Sequence, residues 1–510
     1  MGTNETRGIW WVSFILFAGI GVLWAITTPL LAAPDEDAHA IKAASVAFHG
    51  AWPVGTSLTV PAAYGETVGK KDCLRFHPAL PANCAPPISV EVAISYPAYT
   101  QVGPYPPLYY ALVGWPARVL SPRRALYAMR FLSALLSAVL LASAVASLSL
   151  AGPRRWLVPG FALAMTPMAL YLTGVINPNG MEIAAAACVW TTLLALLRRD
   201  NPISTRFMVR LGLSGALFAA ARPLSPVLLL TTVALVVVAA GERDRLAQLA
   251  RDTKLRATGA VLGVVIVVSA AYVSAAHSFD AFIPNSWPKP PSAGDLARAG
   301  IDKMPEHTRQ LIGIMGYNDN PLPSWLIASW VVLTLALVVA ALVVGRWRER
   351  LALGAVTAFA ALSPVVMALM SGRRYGLIWQ GRYTLPLAIG VPLLASWVLG
   401  RRVPRHSRMV AGLGVAIVVF AGAGQFVAHL QSMTRYVLGL PHGLFQYLSG
   451  GPWRPPLLSP GLLFVVALII SVAYSAFFIV LLAPPTRSRA SERPESTDDG
   501  AERMAVQARR

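Results

Sequence analysis

The chain has 510 residues, of which 55% are hydrophobic and 13% charged, and it carries a net charge of +20 from 43 Lys+Arg against 23 Asp+Glu. Apolar runs of about 17 to 25 residues recur along it, matching the ~20 residues a helix needs to cross ~30 Å of hydrocarbon. Most basic residues fall in short loops between these runs, where they set orientation and meet anionic headgroups, so the charge argues against nucleic-acid binding and for an all-α polytopic membrane protein.

In chain order, spans are predicted near Ile9–Leu31, Leu126–Leu150, Trp156–Thr173, Met181–Leu197, Val209–Ala221, Leu224–Ala240, Ala257–Ala276, Ser324–Val344, Leu351–Met370, Tyr383–Leu399, Met409–Leu430 and Pro460–Leu482. That is a bundle of about twelve transmembrane helices. The first run follows Arg7, but it is longer than a signal h-region and has no Ala-x-Ala site before the acidic residues, so it reads as a retained span. Loops with Arg154-Arg155, Arg198-Arg199, Arg243 to Arg256, Arg346 to Arg350 and Arg401-Arg402 recur after every second span. The expectation is that these loops and both termini are cytoplasmic, in a bacterial plasma membrane.

Residues 1–483 then form one transmembrane domain, and the polar stretch 484–510 is expected to be a disordered cytoplasmic tail. Three extracytoplasmic loops, 34–125, 278–323 and 431–459, are longer than helical hairpins require. In the first, Asp35–His49 and Pro106–Pro116 read as interfacial helices that wall a cavity over the membrane. Cys73 and Cys84 lie in the same loop, where the oxidising side permits a disulfide, whereas Cys188 falls inside a span and reads as a small core residue.

The first span ends in an acidic triplet, Asp35-Glu36-Asp37, with His39 four residues beyond Asp35. Carboxylates at a helix end on the bilayer surface suggest a site facing a water-filled cavity. Sugar transfer from a phospholipid carrier needs a carboxylate to deprotonate the acceptor hydroxyl and a cation to neutralise the departing phosphate. Asp35 and Asp37 suit the first role; Arg222, Arg382 with neighbouring Tyr383, and Arg373-Arg374 suit the second, with Glu36 and His39 grouped beside them. Rival readings are an N-cap for Asp35, a solvated helix start for Glu36, lipid anchors for the arginines and turn chemistry for Asn177-Pro-Asn-Gly180. Glu182, a carboxylate opening an apolar helix, is less easily assigned to structure alone.

The segments Pro34-Asp-Glu-Asp-Ala-His39, Pro106-Pro-Leu-Tyr-Tyr110, Asn177-Pro-Asn-Gly180, Gly316-Tyr-Asn-Asp-Asn-Pro-Leu-Pro323, Gln380-Gly-Arg-Tyr-Thr-Leu-Pro386 and Trp453-Arg-Pro-Pro456 resemble the signature segments of a bacterial family of multispanning membrane proteins. That family is catalogued as a domain of unknown function and allied with the GT-C superfamily of polyprenyl-phosphate-sugar glycosyltransferases. The resemblance implies a GT-C-like core, an inverting transfer from a polyprenyl-phosphate sugar to a cell-envelope glycan or glycolipid, Asp35 or Asp37 as base, and Arg222 and Arg382 on the lipid phosphate. Asn179 departs from the family pattern, which favours aspartate there. Asp35, Glu36 and Asp37 offer hard oxygen ligands suited to magnesium or manganese, but a cage would need further ligands, and the metal is left unassigned. The rival reading is a transporter or flippase of lipid-linked sugars, which would also need many helices and a phosphate-binding arginine.

Overall fold

The structure is a computed structural model, and it describes residues 3–50, 54–67, 72–281, 284–287, 289–403 and 408–483. The tail expected at 484–510 lies outside the described residues. Among the described residues nine helices are long and apolar enough to cross a membrane. Two further pieces, Arg154–Ala164 and Pro167–Gly174, are long and apolar enough only when taken together, and they are bent by 69° at their junction, the geometry of a broken span or a re-entrant loop. Pro167, at the first turn of the second piece, cannot extend the hydrogen-bond ladder of the first, which accounts for the break. The remaining two predicted spans are helical but short: Thr205–Ala219 has 15 residues and Ser225–Ala240 has 16, below the length that a straight crossing demands.

Burial separates inner helices from outer ones. Pro178–Leu196 is 94% buried over its apolar window, while Thr253–Ala275 is only 11% buried and offers valines outward to lipid. The inner helix owes its place to Ala184–Ala187, whose small side chains let neighbours approach closely. At Gly180 an added Cβ would lie 2.3 Å from the carbonyl oxygen of Leu172, so only glycine fits where this helix starts.

The first long loop is built on a buried helix rather than an interfacial one. Glu36–His49 is covered on nearly all sides, with Leu108–Gly114 packed against it. Gly114 permits that approach, since a Cβ there would sit 2.4 Å from the Ala43 oxygen. The loop also contains a two-stranded antiparallel ribbon, Ser57–Pro61 with Ser95–Tyr99, which an all-helical reading does not anticipate. A second, two-residue ribbon pairs Ile314–Met315 with Asn320–Pro321. Cys73 and Cys84 form a disulfide, and Arg435 donates to the carbonyls of Leu80, Leu74 and His77 within the closed loop. Arg435 sits on a helix predicted to end at Leu430 but continuing to Leu438, because buried partners replace the solvent its polar last turns would otherwise need.

The arginine-rich connections and the acidic triplet lie at opposite ends of the bundle. Pro178–Leu196 carries Asn179 at the Asp35 end and runs to Arg198 at the other.

Candidate functional site

Asp35 is held in the left-handed region, at φ 56°, one residue before the helix Glu36–His49. Aspartate tolerates that conformation better than most residues. Its side chain makes no capping bond to this helix, so the N-cap reading does not hold. Instead its carboxylate meets Arg382 and, at 3.5 Å, the Nε2 of Gln101. Arg382 lies in the first turn of the short helix Gly381–Ala388, and Oε1 of Gln310 fixes that start by accepting from the Gly381 amide at 2.7 Å.

Two guanidiniums flank one aromatic ring. Arg222 lies 4.2 Å from the Tyr383 ring centroid and Arg382 lies 4.9 Å from it. Arg382 also donates to the Tyr383 hydroxyl at 3.1 Å, and Trp379 packs edge-on against the same ring. Arg222 sits in the turn joining the two short helices, and the carboxylate of Glu182 reaches it at 3.6 Å. Ser225 locks the turn: it donates to Glu182 at 2.5 Å and accepts from the Arg222 amide at 3.0 Å. Glu182 is thus the positioning partner of Arg222. The Nε–H of Arg222 and that of Arg382 are buried without a hydrogen-bond partner. Leaving such donors unmet costs on the order of 1–3 kcal/mol each, which an incoming anion would relieve.

Asp35, Arg222 and Tyr383, with His39, Gln101 and Tyr105, line a cavity of about 170 Å³. That is room for roughly six waters, or for a phosphate group. His39 bonds the Tyr110 hydroxyl at 2.8 Å through Nδ1. Burial lowers its pKa to about 3, with Arg222 and Arg382 adding to the effect and Asp35 opposing it, so the ring is neutral at ordinary pH. Asn179 and Gln380, with Val102 and Ile378, complete the lining. Asn177 caps the helix Pro178–Leu196 and donates to the Pro34 oxygen at 3.0 Å, while Asn179 donates to the Arg382 oxygen at 3.3 Å. The segment 177–180 is therefore a helix start that ties Pro34 and Arg382 together, rather than a simple turn.

The three acidic neighbours diverge. Glu36 is fully buried and turned to Arg130, at 2.6 and 2.5 Å, and it also accepts from the amides of Leu31 and Ile176. Arg130 spends its remaining donors on the carbonyls of Ala25, Thr28 and Pro29. Glu36 therefore fixes the chain into and out of the first span and is not offered to a ligand. Asp37 is 2% exposed and outside the cavity lining. Its charge bears on Tyr317, whose phenol is pushed well up by burial first and by Asp37, Asp35 and Glu36 next. Tyr317 donates to the Leu31 oxygen at 2.9 Å, so the segment 316–323 braces the chain leading to Asp35. With each acid directed elsewhere, the triplet does not form a metal cage, and among the described residues no group of three or more His, Cys, Asp or Glu side chains could hold an ion.

Arg373 and Arg374 are not brought to this cavity. Arg374 pairs with Asp280 at 3.0 Å and Arg373 donates to the Pro291 oxygen at 3.2 Å, both on the exposed rim. Conversely, Gln101, Tyr105, Asn179 and Gln380 line the site without having been singled out for it; only the resemblance motifs, which contain Asn179 and Gln380, carried a signal.

A second cavity, of about 290 Å³, is lined by Leu163, Trp330, Leu335, Leu385, Ala388 and other apolar side chains. The helix Gly381–Ala388 borders both spaces, with Tyr383 on the polar one and Leu385 and Ala388 on the apolar one, ~7 Å of helix apart.

No curated protein matches the chain. A family model does: that described as "Predicted membrane protein (DUF2142)" matches residues 17–391, a stretch holding every side chain of the polar cavity, and the chain belongs to this family.

Proposed function

We propose that the protein is a GT-C-type glycosyltransferase that moves a sugar from a polyprenyl phosphate to a cell-envelope glycan or glycolipid, with inversion at the anomeric carbon. The observation that carries this reading is a cavity lined by Asp35 and Arg222, with Arg382 paired to Asp35 and both guanidiniums buried and incompletely satisfied, beside an apolar cavity. A polar head and an apolar tail call for such neighbouring spaces. In this account the donor phosphate takes the unmet N–H groups of Arg222 and Arg382, and its competition for Arg382 loosens that residue's hold on Asp35. Asp35 accepts the proton of the acceptor hydroxyl as its oxygen bonds to the anomeric carbon. The bond from that carbon to phosphate oxygen breaks, and the electron pair leaves with the polyprenyl phosphate, stabilised by the two arginines. The arginine-rich end faces the cytoplasm of a bacterial plasma membrane together with both termini, and the Asp35 cavity opens on the other side.

The test is reconstitution in proteoliposomes containing a polyprenyl-phosphate sugar and an envelope-glycan extract. Conversion of the donor to polyprenyl phosphate, read by mass spectrometry, supports transfer. Movement of intact donor between leaflets without any change in its mass would replace this reading with that of a flippase.

A further inference from the structure

The bundle end opposite Asp35 contains a cavity of about 790 Å³. Arg198, Arg199, Arg346, Arg401 and Arg402 line it, and they come from three separate connections between helices. Orientation of the chain needs arginines at this end but does not need them gathered at one cleft. The carboxylates there act as spacers between guanidiniums. Glu242 bridges Arg199 at 3.2 Å and Arg401 at 2.7 Å, and Glu349 bridges Arg402 at 2.6 Å and Arg401 at 3.7 Å. Arg198 pairs with Asp200 at 3.0 Å, while Arg346 makes no side-chain ion pair among the described residues. Five guanidiniums thus meet four carboxylates, Asp200, Glu242, Glu349 and, at 3.8 Å from Arg199, Asp244, which leaves the cleft one positive charge in excess. Leu157, Leu197 and Trp397 supply the apolar part of its lining, and Arg401 lies over the Trp397 ring at 4.6 Å.

We propose that this cleft binds the phosphate of an anionic phospholipid, with the arginines on the headgroup and the apolar wall against the first segments of its acyl chains. Guanidinium forks match phosphate oxygens, and the arginines already ordered by Glu242 and Glu349 lose little freedom when a phosphate arrives. A soluble anion would use the arginines but would gain nothing from Leu157, Leu197 and Trp397. The site lies at the far end of the bundle from Asp35, and its occupancy does not depend on the reaction proposed there.

The experiment uses the full chain in phosphatidylcholine nanodiscs with a graded fraction of phosphatidylglycerol, and reads the melting temperature. A saturable rise in melting temperature with the anionic lipid is expected. The substitution R346Q should raise the lipid fraction at half-saturation by about fivefold, as loss of one near-surface cation does. R346K keeps the charge and should retain most of the response, and R198Q, placed on the same cleft by a half-buried side chain, should weaken it as R346Q does. Equal responses in wild type, R346Q and R198Q would overturn the proposal. So would a response reproduced in full by inorganic phosphate in pure phosphatidylcholine, because the ligand would then be a soluble anion.

Discussion

Asp35 and Arg382, 347 residues apart in the chain, form an ion pair in which the arginine side chain is 2% exposed and the aspartate 30%. The cation is an anchored, buried group, and the anion is the partner that can still be reached. Arg222 and Arg382 share Tyr383, so the ring sets the spacing of two charges that would otherwise repel.

Substitutions at this pair of cations should separate charge from shape. R382Q and R222Q are expected to lower turnover of a lipid-linked donor by about 10²- to 10³-fold, the loss typical of a removed transition-state donor. R222K keeps the charge but forfeits the planar stack on Tyr383, worth ~0.5–2 kcal/mol, and should raise KM for the donor by about threefold to thirtyfold with a smaller effect on kcat. Y383F retains the ring and should behave close to wild type in KM, whereas Y383A should resemble R222K. Steady-state kinetics with a synthetic polyprenyl-phosphate sugar checks all five.

Glu36 and Arg130 should govern folding. Removing one member of a fully buried ion pair leaves the other uncompensated, at a cost of about 3–5 kcal/mol. Both E36Q and R130A are expected to lower the melting temperature and membrane abundance. E36Q should keep turnover per folded molecule near the wild-type value, in contrast to D35N. Thermal melts on purified protein, with activity normalised to the folded fraction, measure this directly.

Acid should destabilise the protein through His39. Its pKa is about 3 in the folded chain and 6.5 in the unfolded chain, so between these values the unfolded state binds more protons. Stability therefore falls as pH drops below about 6.5, with a slope approaching ~1.4 kcal/mol per pH unit, and levels off near pH 3. Above pH 6.5 the group contributes no pH dependence. H39Q should flatten the melting-temperature profile within this window and leave it unchanged above it.

The Cys73–Cys84 loop and Arg435 should act as one unit, because the guanidinium donates to three carbonyls inside the bridged segment. Closing a loop of this size stabilises a protein by roughly 3 kcal/mol in the chain-entropy account. Reduction, C84S and R435A should each lower the melting temperature. The double variant C84S/R435A should lose less than the sum of the two single losses, as measured by a double-mutant cycle.

The apolar runs made every spanning helix legible in the sequence, because a helix facing lipid must be apolar over its whole length. Val209–Ala221 and Leu224–Ala240 were read as full spans since hydropathy windows measure composition and not how far a helix reaches. Asp35, Arg222 and Arg382 stood out as charges at the margins of apolar runs; the first two line the cavity, and the third pairs with Asp35 from behind its wall. Glu36 was grouped with them because its partner, Arg130, lies 94 residues away inside a span, and no local pattern announces such a pairing. Asp35 and Asp37 were equivalent on paper; in the structure the first, a left-handed residue, lines the cavity, and the second is buried outside it, its charge acting on Tyr317. Arg373 and Arg374 looked as suitable as Arg382, but their partners Asp280 and Pro291 belong to a loop whose path the sequence does not disclose.

The most direct measurement is the release of polyprenyl phosphate by wild type, D35N and D37N in nanodiscs supplied with a polyprenyl-phosphate sugar and acceptor glycan. The account predicts release by wild type, a fall of at least about 10²-fold in D35N, in line with loss of a general base, and a much smaller fall in folded D37N. Undiminished release by folded D35N would contradict it.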